Sequence, residues 1–159
     1  MEKSLLRQAL VEKLTAELEV LTRAALMARD EATNDESKAE GKYDTRGQEA
    51  AYLAEGQAKL AAELQESVVL YQSLPLPDFA RHDAVDIGAV VTLETRGRAT
   101  LYFLGPRNGG LELSVAGREL IVVTSQSPLG RQLLSRRIGE TVQLPGPSGP
   151  VAHRITEIE

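Results

Sequence analysis

"VEKLTAELEVLTRAALMARDEA", residues 11–32, decides the fold. Val11, Leu14, Leu18, Leu21, Ala25, Ala28 and Ala32 alternate spacings of three and four, the a/d pattern of a coiled-coil seam. A helix with so narrow an apolar stripe needs a partner to bury it. A second seam follows through Ala50, Leu53, Gln57, Leu60, Leu64 and Tyr71, thickened by Ala61 and Val68. No proline precedes Pro75. The pattern therefore predicts helices over 3–32 and 39–73, packed as an antiparallel hairpin and each on the order of 45 Å long. The change from leucine to alanine toward residue 32 narrows the packing, as a hairpin tapering toward its turn requires.

"SLPLPDF", residues 73–79, ends the second helix, because proline removes a backbone donor and restricts the residue before it. Two domains are expected, 1–75 and 76–159. All seven prolines fall between Pro75 and Pro150, and ten of the thirteen glycines fall after residue 80. There the period shortens to strand-like runs over 87–93, 99–104, 111–115, 119–124, 140–144 and 152–158. "RGR", "GPRNGG" and "PGPSGP" separate them as turns, with "GPRNGG" read as a hairpin turn. "SPLGRQLLS", 127–135, reads as one short helix with Ser127 as N-cap and Pro128 at its first position. The fold class is α+β: a helical hairpin, then a strand meander carrying one helix.

Charge is divided unevenly between the two parts. Residues 1–77 hold fourteen acids and nine bases and residues 78–159 nine of each, so the net charge of -5 lies wholly in the first part. Asp30, Glu31, Asp35, Glu36, Glu40 and Asp44 stand against Lys38 and Lys42 around the helical turn. Such a surface excludes direct binding to duplex nucleic acid, which needs a basic patch. With no cysteine and two distant histidines, thiolate chemistry and a structural zinc site are excluded. No apolar run reaches the ~20 residues of a membrane span and the N-terminus has no signal-peptide core, so a cytoplasmic chain is expected.

No self-contained active site is visible. His82 and His153 have no convincing local partner, and the glycines of "GPRNGG" lie between strands, where a phosphate-binding loop would precede a helix. Leu129, Leu133, Leu134 and Ile138 read as core. The acids of "NDESKAEGKYD", 34–44, are either a solvated loop or a set of oxygen ligands. Two or three loop carboxylates hold Mg²⁺ weakly by themselves, because that ion keeps its waters and prefers phosphate oxygens in addition. They would work only inside another molecule's active site.

The layout of hairpin, acidic turn and compact C-terminal module resembles the Gre family of bacterial transcript-cleavage factors. "DIGAVVTL", "SPLGRQLLSRRIGETVQL" and "VAHRITEI" carry the resemblance, with weaker echoes in "KLTAEL" and "AEGKY". It covers essentially the full chain. The family's tip reads Asp-x-x-Glu-Asn-Ala-Glu-Tyr, whereas residues 34–43 read N-D-E-S-K-A-E-G-K-Y. Matching on Ala39-Glu40 sets Lys38 and Ser37 at the asparagine and second acid. Matching on Tyr43 sets Glu36 at the first acid and Ala39 at the second.

The resemblance implies an FKBP-like C-terminal domain docked on the rim of RNA polymerase and a hairpin inserted in its secondary channel. It also implies that tip acids help the polymerase hold a catalytic Mg²⁺ and hydrolyse backtracked RNA, with no catalysis by the factor alone. Asp35, Glu36 and Glu40 are the candidate ligands, with Asp44 in reserve. Arg131, Arg136 and Arg137 around the short helix are the candidate polymerase contacts, since the guanidinium fork suits carboxylates. With only Phe79, Tyr102 and Phe103 as aromatics after residue 77, a prolyl isomerase pocket is not expected. Two alternatives remain: a channel-binding regulator that does not stimulate cleavage, and a coiled-coil adaptor unrelated to polymerase.

Overall fold

A computed structural model of the protein describes residues 1–33 and 45–159. It divides into two compact units, Val11–Gln72 and Met1–Leu10 with Ser73–Glu159.

The first unit contains most of α1 (Lys3–Thr33) and α2 (Arg46–Ser73). In α1 every expected seam position, from Val11 to Ala32, is buried or half-buried. In α2 the seam runs through Ala50, Ala54, Gln57, Ala61, Leu64, Val68 and Tyr71, all at least half-buried. Leu53 and Leu60, expected in that seam, are 54% and 48% exposed. The expected and observed seams share Ala50, Gln57, Ala61, Leu64, Val68 and Tyr71 and differ at Leu53 and Leu60, which are expected but exposed, and at Ala54, which is not expected but half-buried. The chain takes the phase that keeps an unbroken four-three spacing through Val68, which leaves the two leucines on the flank. Leu21 and Leu64 line one groove, and Ala25 and Arg29 line another with Ala54, Ala58 and Ala61, so α1 and α2 run antiparallel. Along α1 the seam passes from Leu14, Leu18 and Leu21 to Ala25, Ala28 and Ala32, and along α2 in the opposite chain direction from Tyr71, Val68 and Leu64 to Ala61, Ala54 and Ala50.

A threonine stands at each of the two helix ends that border residues 34–44. Thr33 Oγ1 donates to the Arg29 and Asp30 carbonyls at 3.1 and 3.3 Å. The Thr45 carbonyl accepts from the Glu49 N–H at 2.9 Å, the first hydrogen bond of α2. The expected helical start at residues 39–44 lies outside the described residues.

The second unit is built on a six-stranded sheet of order β3-β4-β2-β1-β6-β5. The strands are β1 (Val90–Thr95), β2 (Arg98–Gly105), β3 (Glu112–Val115), β4 (Arg118–Thr124), β5 (Thr141–Leu144) and β6 (Val151–Ile158). The unit is α+β as expected, with all six strands and the helix α3 (Pro128–Leu133) close to their predicted positions. It is not a simple meander, because β2 and β4 pair in parallel. "GPRNGG" therefore connects two strands that are not neighbours and is not a hairpin turn. Tight hairpins form instead at Arg96-Gly97 and Ala116-Gly117, where both central residues have positive φ.

Val90–Leu93 are buried in succession because β1 has core on both faces. Val91 and Leu93 belong to a cluster with Leu104, Val123, Leu133, Val142 and Ile155. Register pairs Val90 with Phe103 and Phe103 with Val122 on the opposite face. Ser127 caps α3 by accepting from the Gly130 N–H at 3.0 Å. Gly130 is required by space, since a Cβ there would sit 1.8 Å from the Thr124 carbonyl oxygen.

The first turns of α1 belong to this unit for a polar reason as well as through buried Leu6 and Leu10. Lys3 Nζ donates to the Gly88 and Glu159 carbonyls, each at 2.8 Å, and lies 5.4 Å from the Phe79 ring centre. Burial lowers the Lys3 pKa, while Asp78 and Glu159 pull the other way. Burial would raise the Glu159 carboxyl, but hydrogen bonds from Arg118, at 2.9 Å, and from the Met1 amino group hold it below the usual range.

Leu60→Lys should change stability by no more than about 0.5 kcal/mol, as an exposed substitution does. Ala61→Lys should cost several-fold more by burying an unpaired charge in the seam, and denaturant unfolding of the two variants tests the phase. A lowered folded-state pKa means that the Glu159 contribution is present above its unfolded value and lost as pH falls through the folded one. The stability difference between the wild type and Arg118→Ala should therefore be full at pH 7 and shrink as pH falls below about 4.

Candidate functional site

Asp35, Glu36, Glu40 and Asp44 lie outside the described residues, so their geometry carries no argument. The described residues next to them carry one electrostatic feature. Asp30 and Glu31 are exposed near the C-terminal end of α1, and the last turn holds no basic residue. Helix C-termini favour cations, so these carboxylates gain nothing from the helix dipole. Glu49, in the first turn of α2, does. The negative charge thus extends into the helices on either side of the connection. Among the described residues no group of three or more His, Asp or Glu side chains is placed to hold a metal ion.

The arginines of the C-terminal unit are differently engaged. Arg131, on α3, is exposed, and its side chain has no hydrogen-bond partner among the described residues. Arg136 Nη1 pairs with Glu140 Oε1 at 3.0 Å, and its Nε donates to the Gln132 carbonyl at 3.3 Å. Arg137 donates its backbone N–H to Glu140 Oε2 at 2.6 Å and a guanidinium N–H to the His82 carbonyl. The Arg136 side chain and the Arg137 N–H together hold the Glu140 carboxyl below its ordinary range. A carboxylate arriving from a partner would meet Arg131 free and would compete with Glu140 for Arg136. His82 and His153 contribute no cluster. His153 Nδ1 lies 3.0 Å from the Val151 carbonyl, and the His82 side chain is exposed.

Leu133 is fully buried, and Leu129 and Ile138 pack on the core, as expected. Leu134 departs from expectation at 39% exposed, because α3 ends at Leu133 and the chain turns out of helical geometry at Leu134. Sequence reasoning also missed a groove of about 580 Å³ between α3 and the β5–β6 connection. Val123, Leu129, Leu144 and Pro150 line it. At one side the Gln132 amide brackets β5, donating to the Gln143 carbonyl at 2.9 Å and accepting from its N–H at 2.8 Å. The prolines of "PGPSGP" were the available signal, read only as turn chemistry. Among the described residues no helix is long and apolar enough to cross a membrane.

Comparison with known proteins converges on one family. Residues 80–159 match the family profile described as "Transcription elongation factor, GreA/GreB, C-term". The chain is 31% identical over 118 residues to transcription elongation factor GreA of Thermomicrobium roseum, covering 74% of this chain and 69% of that one. Solved structures that match along the chain include the GreA factor homolog 1 (Gfh1) of Thermus thermophilus, with 21% identity, 95% of each chain covered and a TM-score of 0.39. Another is Gfh1 of Thermus aquaticus, with 22% identity, 95% of this chain and 94% of that one covered, and a TM-score of 0.41. The profile match over the C-terminal half and the identity with GreA show that this chain belongs to the GreA/GreB family of transcription elongation factors.

Proposed function

We propose that this factor binds RNA polymerase, inserts its hairpin into the secondary channel, and stimulates Mg²⁺-dependent cleavage of backtracked RNA. The observation that supports the reading is the antiparallel pairing of α1 and α2, two helices between which the sequence carries Asp35, Glu36, Glu40 and Asp44. At about 1.5 Å per residue, the 31 residues of α1 and 28 of α2 give a probe on the order of 40 Å long. That length suits a channel leading to a buried catalytic centre.

The chemistry belongs to the polymerase. Bound Mg²⁺ would stabilise charge on the phosphodiester and lower the pKa of an attacking water. The chain's carboxylates would supply oxygen ligands and orient that water. The factor alone is then not an enzyme. Arg131 is the contact best prepared for an acidic patch on the polymerase, with Arg136 and Arg137 beside it in sequence. The net negative charge of the first part of the chain disfavours duplex DNA as a direct partner. An RNA polymerase partner places the factor in the cytoplasm.

A second reading is favoured by the departure of residues 34–43 from Asp-x-x-Glu-Asn-Ala-Glu-Tyr. A factor with its acids displaced from that register would occupy the channel and regulate the polymerase without cleavage. Stalled, backtracked elongation complexes incubated with the factor and Mg²⁺ distinguish the two on an RNA gel. The cleavage reading expects released 3′ fragments. It also expects a loss on the order of 10–100-fold in at least one of Asp35→Ala, Glu36→Ala and Glu40→Ala, comparable to losing a group that orients a metal site. Binding with no fragments establishes the regulator, and failure to bind polymerase overturns both.

A further inference from the structure

Two adjacent residues weaken the same turn of α2, and packing explains neither. Gly56 lies inside the helix, outside the left-handed region of φ, and a Cβ built on it would meet nothing within 4 Å. Glycine weakens a helix interior relative to alanine, and exposed positions nearby hold better helix formers, Glu55, Lys59 and Glu63. Neither close approach nor backbone geometry calls for glycine here. Gln57 occupies the next position, in the seam. Its Oε1 is sealed from solvent with no hydrogen-bond partner among the described residues. Such an acceptor loses its water and gains nothing in exchange.

The layers on either side of this turn are unequal. Between Gln57 and the connected end the seam holds Ala28, Ala32, Ala50 and Ala54. On the other side it holds Leu14, Leu18, Leu64, Val68 and Tyr71, which supply far more apolar area. A weak turn placed where the large side chains stop divides the hairpin into a firmly paired part and a part that opens at little cost.

We infer that Gly56 and Gln57 form a hinge in α2, at which the alanine-layered part of the hairpin opens and re-pairs while the leucine-layered part stays closed. The functional role of the hinge rests on the reading proposed above. It allows the acid-bearing end to adjust within a confined channel without unseating the rest of the factor. Gly56 and Gln57 are positioning residues in that role and touch no reacting atom.

Hydrogen exchange on the full chain tests the hinge without polymerase. Amides from Arg46 to Gln57 should exchange at least ten-fold faster than those from Leu60 to Gln72, with a step near Gly56 in place of gradual fraying from the helix end. Gly56→Ala should slow exchange in the faster segment about five-fold, the ratio its helix propensity implies. Gln57→Leu should slow it about ten-fold by removing the unpaired acceptor. In cleavage assays the double variant should keep the wild-type half-saturating concentration and lose several-fold of its rate at saturation. A merely structural role would leave that rate unchanged or raise it. Uniform exchange along α2 overturns the inference, as does a stabilised double variant that cleaves at the wild-type rate. If the wild type stimulates no cleavage, the functional reading falls and the exchange pattern alone decides the hinge.

Discussion

Neither α1 nor α2 carries enough apolar surface to persist alone, and their mutual burial along one a/d seam is the constraint on which the hairpin depends. It fixes the antiparallel arrangement and leaves the remaining surface of both helices free to be polar. It also explains why the connected end carries charge. The seam shrinks to alanine before the turn, so no core there has to be protected from carboxylates. An acidic end on a long, narrow support is a consequence of where the large side chains stop.

The C-terminal unit solves a different problem. Its central strand is buried on both faces, and the parallel pairing of β2 with β4 inserts β4 between β2 and β3. The capped helix α3 then fixes the backbone on which Arg131 stands, while Glu140 orients Arg136 and receives the N–H of Arg137. Surface ion pairs of this kind contribute little stability. What they do is fix the positions of the guanidinium groups on the surface of this unit.

The sequence was informative wherever one physical rule acted alone. The three-four spacing of α1 located its seam residue by residue, and Ser127-Pro128 located the start of α3. It was misleading where two rules competed. Leu53 and Leu60 are large and helically spaced, but continuity of phase through Val68 sent the seam through Ala54 and left Ala61, expected only to thicken it, as a seam position in its own right. The non-local pairing of β2 with β4 left no mark in either strand's own pattern, so "GPRNGG" looked like a hairpin turn. The groove beside α3 was invisible because it is formed by residues from separate elements. The candidate arginines were legible as residue types, but not their differing engagement, since Glu140 pairs with Arg136 only once the turn at Gly139 is folded.

The central claim is that the connected end of the hairpin reaches the polymerase catalytic centre. The chain has no cysteine, so Thr45→Cys, at the N-terminal end of α2, provides a single attachment point for a short photoactivated crosslinker. In backtracked complexes with labelled RNA, the account predicts crosslinks to the RNA 3′ segment and to polymerase residues around the catalytic Mg²⁺. Crosslinks confined to the outer surface of the polymerase, with none to RNA, would contradict it.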